Sequence, residues 1–359
     1  MEAVEQVTTP AESTLGATQR KPKPARQVRV LTFSSIETFS RCQHEYELRY
    51  ERLLVPADYS PALAIGAGFH RGIEVLHLRG TLAGALAAAS VEIEEHAAKA
   101  RAVLDDLEAA ALSESVRWDA AKTRGMVRAW HDRYVGPATA NGGGVPYVDC
   151  DREAVEVELA LEAPLRNPTT GRPSRSFLLG GRLDAVVRRR GATDSGWWLL
   201  ETKTTSEALD SFVEAMRFSL QPSIYQTLAM EHLGDELGPP LGTMLDICVK
   251  PAVRPKKTET PTDFEQRVVE TYAAEPDRYF ARLALPLDEA RRREAIQVAW
   301  RTAEAIRSSL RHGFLAKAGP ACRGAFGPCK YMRMCRHGDL SGFVQKVIPN
   351  EELTPRRVS

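Results

Sequence analysis

Leu178–Lys203 reads L-L-G-G-R-L-D-A-V-V, then a short charged turn, then W-W-L-L-E-T-K. Apolar runs flank Gly191 and the turn-forming string Asp194-Ser195-Gly196. The segment is therefore predicted to be two adjacent strands joined by a hairpin. Side chains alternate along a strand, which puts Glu201 and Lys203 on one face and Thr202 on the other. Asp184 is the one acid in the apolar run of the first strand. Two acids and a lysine on paired strands suit a divalent cation with an amine beside it, because hard cations take a few carboxylate oxygens and keep waters for chemistry. An edge hairpin whose acids simply face water would carry the same residues. Gly180-Gly181 allows either close approach of a backbone or phosphate, or a bulge.

Working outward, 359 residues are ample for a buried core, and the apolar share of 43% and charged share of 26% are ordinary for a globular chain. A net charge of +1 means that any nucleic-acid footprint must be a local basic patch. No apolar run reaches membrane-spanning length, and the acidic start at Met1–Gln6 is unlike a signal peptide. Six unevenly spaced cysteines, three of them within fourteen residues, do not form a secreted disulfide pattern. They point to a reduced, cytoplasmic setting and a metal or cluster site.

Residues 1–27 have no apolar period and carry Arg20, Lys21, Lys23 and Arg26, as a disordered basic tail would. The main domain is expected over 28–312. It opens with a helix capped by Ser34, with Glu37 three residues on. Phe39, Cys42, Tyr46 and Tyr50 share one face of that helix. A second helix, Pro61 to Arg79, carries His70 and Glu74. Residues 82–135 are expected to be a helical insertion with an apolar stripe through Leu82, Leu86, Val91, Ile93, Leu104, Trp118, Met126, Trp130 and Tyr134. Asn141–Pro146 ends it. The period then changes to two at Ala154–Leu161, a strand preceding the hairpin. Glu207–Leu233 reads as an interrupted helix and Leu241–Val249 as a buried strand. Arg254-Pro255-Lys256-Lys257 is a basic loop, and Phe264–Leu285 and Asp288–His312 read as helical. A cysteine-bearing unit spans 313–337, and 338–359 is expected to be a flexible tail.

Asp184 followed by Glu201-Thr202-Lys203 resembles the core motif of the PD-(D/E)XK nuclease superfamily. Gly66-Ala67-Gly68-Phe69-His70 is similar to the G-x-x-x-H motif of its RecB-like branch, and Gln221 to Tyr225 to that branch's Q-x-x-x-Y. Cys42 with Cys322, Cys329 and Cys335 resembles the iron–sulfur staple of AddB-type and CRISPR-associated RecB-like exonucleases. The resemblance runs in the family's order over about residues 32–337. It implies an α/β fold, a restriction-endonuclease-like core in which a mixed sheet is flanked by helices. It also implies Mg²⁺ or Mn²⁺ held by His70, Asp184, Glu201 and the main-chain carbonyl of Thr202. Lys203 would orient or deprotonate the attacking water, and Gln221 and Tyr225 would face the nucleic acid. Pro222 places Gln221 either at the helix cap or at a kink, and Tyr225 could equally be a core aromatic. The spacing C-x6-C-x5-C is looser than the tight pairs of zinc knuckles. With a remote fourth thiolate it suits a [4Fe–4S] cluster. Zinc on the same four thiolates is the alternative, with His312 or His337 able to replace a cysteine. Cys150 and Cys248 have no partner at ligand spacing.

No G-x-x-x-x-G-K-[ST] string occurs, so no helicase motor is recognisable in the chain. The resulting expectation is a free-standing, metal-dependent DNA exonuclease of phage or bacterial DNA processing, recombination or repair. Its partners would be DNA and a helicase or recombination protein, with no membrane. The alternatives are a non-catalytic nucleic-acid-binding module and a structure-selective endonuclease.

Overall fold

The computed structural model describes residues 28–78, 80–135, 157–188, 196–324 and 327–354. Strand β1 (Arg29–Leu31) leads into helix α1 (Phe33–Arg41). Thr32, not Ser34, caps that helix: its Oγ1 accepts the Ser35 N–H at 3.3 Å. The helix stops at Cys42, whose backbone is extended at φ −159° and ψ 112°. A short helix α2 (Gln43–Tyr46) then runs into a π-helical turn at Glu47–Glu51. Phe39, Tyr46 and Tyr50 do pack in series, with ring centroids 5.3 and 5.2 Å apart. Cys42 is the break between two helices rather than a member of one continuous face.

Next come β2 (Leu54–Pro56), α3 (Pro61–His77), α4 (Leu82–Arg101) and α5 (Asp106–Tyr134). A reciprocal capping box between Asp105 and Glu108 starts α5. Ile93, Met126 and Trp130 of the expected stripe are buried, whereas Val91 faces water. The expected hairpin is present: β3 (Val157–Arg166), β4 (Pro173–Arg188) and β5 (Trp197–Thr205) pair antiparallel in succession. Its turn residues Gly191 to Ser195, together with the tail 1–27, Asn141–Pro146 and Cys150, lie outside the described residues. Helices α6 (Leu209–Phe218) and α7 (Gln221–Leu237) precede β6 (Gly242–Val249), which is buried throughout and parallel to β5, as expected of a strand covered on both faces.

Beyond β6 lie α8 (Pro261–Ala274), α9 (Pro276–Tyr279), strand β7 (Phe280–Pro286) and α10 (Glu289–His312). β7 corrects the expectation of helix up to Leu285; it pairs antiparallel with β6 from Cys248 to Gly242. The cysteine-bearing unit contains β8 (Arg323–Gly324), β9 (Gly327–Pro328) and α11 (Met332–His337). The expected tail from Gly338 is not wholly free. Strand β10 (Phe343–Gln345) pairs antiparallel with β2, and the Lys346 N–H donates to the Leu53 carbonyl at 2.7 Å.

The main sheet runs β1-β4-β5-β6-β7, with β3 also paired to β4. This is a mixed sheet flanked by helices, the architecture expected from the sequence. Leu245 and Ile247 pack with α6, whereas Cys248 packs with residues of α3, α4, α5 and α8. The two faces of β6 therefore have different helical covers. A second apolar cluster joins α1, α7 and α10 to β3, β4 and β5 around Phe39, Leu199, Ile224 and Ile306. Trp197 anchors β5 there, its Nε1 donating to the Leu237 and Gly238 carbonyls at 3.0 Å.

β4 has two successive partners besides β3. It pairs with β1 at Phe177–Leu179 and with β5 at Ala185–Arg188. Asp184 sits immediately before the β5 ladder begins, where β4 and β5 part.

Candidate active site

The fork between β4 and β5 decides the position of the acids. Ala185 opposes Leu200, and the ladder stops there. One residue further, the Asp184 carboxylate takes over the pairing: its Oδ2 accepts the Thr202 N–H at 2.7 Å. The same oxygen lies 3.5 Å from His70 Nδ1, carried in by α3. Glu201 and Lys203 share a face as alternation requires, and Lys203 Nζ donates to Glu201 Oε1 at 2.5 Å. Gln221 Nε2 donates to that oxygen at 3.0 Å from the start of α7. His70, Asp184, Glu201 and Lys203 thus come together from the β4–β5 hairpin and a helix more than a hundred residues earlier. Their side chains are 29%, 17%, 5% and 22% exposed, so the group opens on solvent through every member except Glu201.

The electrostatics follow from crowding two acids in a partly desolvated fork. Burial pushes the Glu201 carboxyl up, and Asp184 raises it further against the pull of Lys203, leaving it at about 7. Burial also opposes charge on Asp184. His70, Lys203 and the Thr202 N–H outweigh it and hold that carboxyl below its ordinary value. For Lys203, burial disfavours the ammonium, yet Glu201 and Asp184 more than offset it and raise its pKa. His70 is likewise raised, burial being overcome by Asp184. The two acids are thus driven apart, Glu201 towards its neutral form by burial and Asp184 towards its ionised form by His70, Lys203 and the Thr202 N–H.

Two hard carboxylates and an imidazole make a donor set suited to Mg²⁺ or Mn²⁺. As the side chains stand, no group of three or more His, Cys, Asp or Glu among the described residues is arranged to hold a metal ion. The reason is visible here: Asp184 Oδ2 faces Thr202 and His70, while Glu201 Oε1 faces Lys203 and Gln221. A ligand sphere would use the carboxylates' other oxygens or small rotations of these side chains.

Gln221 is the first residue of α7, with Leu220 as its cap and Pro222 in the first turn, so no kink separates it from Tyr225. Tyr225 is half-buried, one turn after Gln221 on α7. Its ring explains Gly181: a Cβ there would lie 2.6 Å from Tyr225 Cε1 and 3.0 Å from Leu228 Cδ1. Gly180 is similarly closed off by Val30. The double glycine therefore admits protein side chains. It does not form a bulge; the register shift of β3 and β4 lies at Pro164–Arg166. The bond from Gln221 to Glu201 was not legible in the sequence. The one available signal was the i, i+4 spacing of Gln221 and Tyr225.

The four cysteines form a second constellation. Ala316, just after α10, donates its N–H to Gln43 Oε1 at 3.2 Å and accepts the His44 N–H at 3.1 Å. This seats the late unit against the helix break at Cys42. The Cys329 N–H donates to the Cys322 carbonyl at 3.0 Å. Burial raises the Cys329 and Cys335 thiols, and Cys42 and Cys322 raise both further. None of the four is in a disulfide. As placed, these thiols are not arranged as a metal-holding group among the described residues, although four thiolates are the donor set that a bound metal or cluster would take. His312 Nδ1 is engaged with the Ser308 carbonyl of its own helix at 2.8 Å. Cys248 is buried beside the Tyr272 hydroxyl at 3.4 Å, away from this group.

Among the described residues no helix is long and apolar enough to cross a membrane. No curated protein matches the chain. The family model of the PD-(D/E)XK nuclease superfamily matches residues 30–336, a span that contains the fork, α3 and every cysteine of the late unit. The chain belongs to the PD-(D/E)XK nuclease superfamily, and with that it is a nuclease, a metal-dependent phosphodiesterase.

Proposed function

We propose that this protein is a free-standing DNA exonuclease of the RecB-like branch, working with Mg²⁺ or Mn²⁺ held by His70, Asp184, Glu201 and the Thr202 carbonyl. The observation that carries the reading is the fork that brings His70, Asp184, Glu201 and Lys203 into one cleft. The cation, when bound, supplies charge neutralisation at the phosphate and a more acidic water. Lys203 keeps its proton beside Glu201 and Asp184, so it donates to the attacking water or a phosphate oxygen rather than acting as base. Asp184, fixed by the Thr202 N–H and His70, holds its carboxylate rigid. Gln221 orients Glu201, and Tyr225 braces Gln221 while presenting its exposed edge to the nucleic acid.

In the same proposal Cys42, Cys322, Cys329 and Cys335 bind one [4Fe–4S] cluster, with zinc as the alternative. Bound there, it ties the two ends of the nuclease together. DNA processing in a phage or bacterial cytoplasm, alongside a helicase or recombination protein, is the setting that fits.

The test is cleavage of end-labelled linear DNA against covalently closed circles with Mn²⁺. Linear DNA should be degraded and circles spared, with all activity lost in EDTA. Equal attack on circles would make the protein an endonuclease. No cleavage of either would leave a binding module.

A further inference from the structure

Lys250 follows β6 directly, and its N–H donates to the Thr205 carbonyl at 2.7 Å. Its ammonium donates to the Ala62 carbonyl in the first turn of α3 at 2.9 Å. Among the described residues no carboxylate pairs with it. A Cβ placed on Gly66 would lie 4.0 Å from that ammonium and 3.1 Å from Thr204 Oγ1. Gly66 precedes His70 by four residues, about 6 Å along the same face of the helix. Thr204 follows Lys203 on β5. An ammonium with two further N–H donors and a hydroxyl thus stand one helical turn from the imidazole that touches Asp184.

The positive charge continues outward. Lys122 Nζ donates only to the Val253 carbonyl, at 3.4 Å, among the described residues. Burial lowers the Lys122 pKa, opposed by Asp119 and helped by Arg254, and burial with a smaller push from Lys122 lowers that of Lys250. Exposed Lys256 and Lys257 lie on the same loop as Arg254. Lys250 rests on a neutral carbonyl and Lys122 on another with Asp119 beside it; a row of cations of this kind suits a run of phosphates.

We infer that Lys250 and Thr204 bind the phosphate next to the one being cleaved, with Lys122 and Arg254 taking the phosphates beyond. The inference deepens the nuclease reading and rests on it. It makes the groove between α3 and the β5–β6 ends the track of the substrate strand. Gly66 is needed because a methyl there would crowd the Thr204 hydroxyl.

The test uses the full chain, cleavage kinetics on linear DNA, and anisotropy with a labelled oligonucleotide in EDTA from 50 to 200 mM salt. Lys250→Gln should raise KM and Kd about tenfold and make the salt dependence shallower by about one charge. Lys250→Arg should recover most of the binding. Lys99→Gln, on an exposed position of α4, should change neither quantity. If Lys250→Gln fails to fold, Lys122→Gln carries the test through the same loss of salt slope. A wild type that cleaves, with Lys250→Gln unchanged in KM, Kd and salt slope, overturns the phosphate track alone. A wild type that neither binds nor cleaves overturns the nuclease reading and the track with it.

Discussion

Gly181→Ala isolates the contact on which the site's geometry depends. The backbone at Gly181 does not lie in the left-handed region, so alanine brings no conformational strain of its own. Its methyl would meet Tyr225 Cε1 at 2.6 Å and Leu228 Cδ1 at 3.0 Å, where carbon–carbon contact is comfortable at about 3.5–4.0 Å. The ring must therefore retreat by about 1 Å. Overpacking of this kind costs about 1–3 kcal/mol, which a urea titration reads as a lower midpoint with an unchanged slope. The effect on cleavage should be larger than the effect on stability. Tyr225 lies one turn after Gln221 on α7, and Gln221 donates to Glu201, so a shift of α7 reaches the carboxylate proposed to hold the metal. A displacement of this size at a reacting group can lower the rate by about 10². Tyr225→Leu added to Gly181→Ala should restore the urea midpoint while leaving cleavage impaired. Wild-type stability and wild-type cleavage in Gly181→Ala would refute the packing of Tyr225 on β4 and the chain of contacts built on it.

Other consequences follow from groups away from the fork. Asp246 and Arg282 form a buried ion pair at 3.1 Å, with Trp130 Nε1 donating to the carboxylate at 2.8 Å and the guanidinium over the Tyr134 ring at 3.6 Å. Arg282→Met should cost about 3–5 kcal/mol by leaving a buried carboxylate, and Asp246→Leu with Arg282→Met should recover much of it in chemical denaturation. Burial, and then Arg282, push His77 down to about 4 in the folded chain. The unfolded chain therefore binds the proton first, and stability present above about pH 6.5 is lost as pH falls towards 4, by at most roughly 3 kcal/mol. His77→Leu should flatten that acid limb of the stability curve; an unchanged limb would exclude His77 as its source. Cys322→Ser should give colourless, protease-sensitive protein that loses cleavage, since a link across so long a loop is worth about 5 kcal/mol, while Cys248→Ser keeps both colour and activity. Stoichiometric zinc without iron or acid-labile sulfide would replace the cluster, and an intact fold in Cys322→Ser would remove the staple.

The hairpin was legible because strand periodicity and turn chemistry agree over Leu178–Lys203, and α3, α7 and β6 because their patterns are long. The shortfalls are local competitions or distant pairings. Thr32 and Ser34 are both good caps, and only the geometry of the Ser35 N–H chooses between them. A three-to-four-residue period runs straight through Cys42, since periodicity does not register a single extended residue. β7 shows no clean strand period, because only its Phe280 is buried and the rest of the strand is partly or fully exposed. β10 is three residues long and depends on β2, nearly three hundred residues earlier. The motif residues were legible one by one. That Gln221 grips Glu201, and that Lys250 reaches the first turn of α3, depends on where strands part and helices cross.

The most direct test of the central claim is cleavage of linear DNA by Lys203→Ala with Mn²⁺ in excess, beside Asp184→Ala and Glu201→Ala, on protein whose fold is checked by circular dichroism. Each should lose a factor of about 10² or more in rate while retaining the wild-type spectrum. Cleavage at the wild-type rate by Lys203→Ala would contradict the assignment of the fork as the catalytic centre.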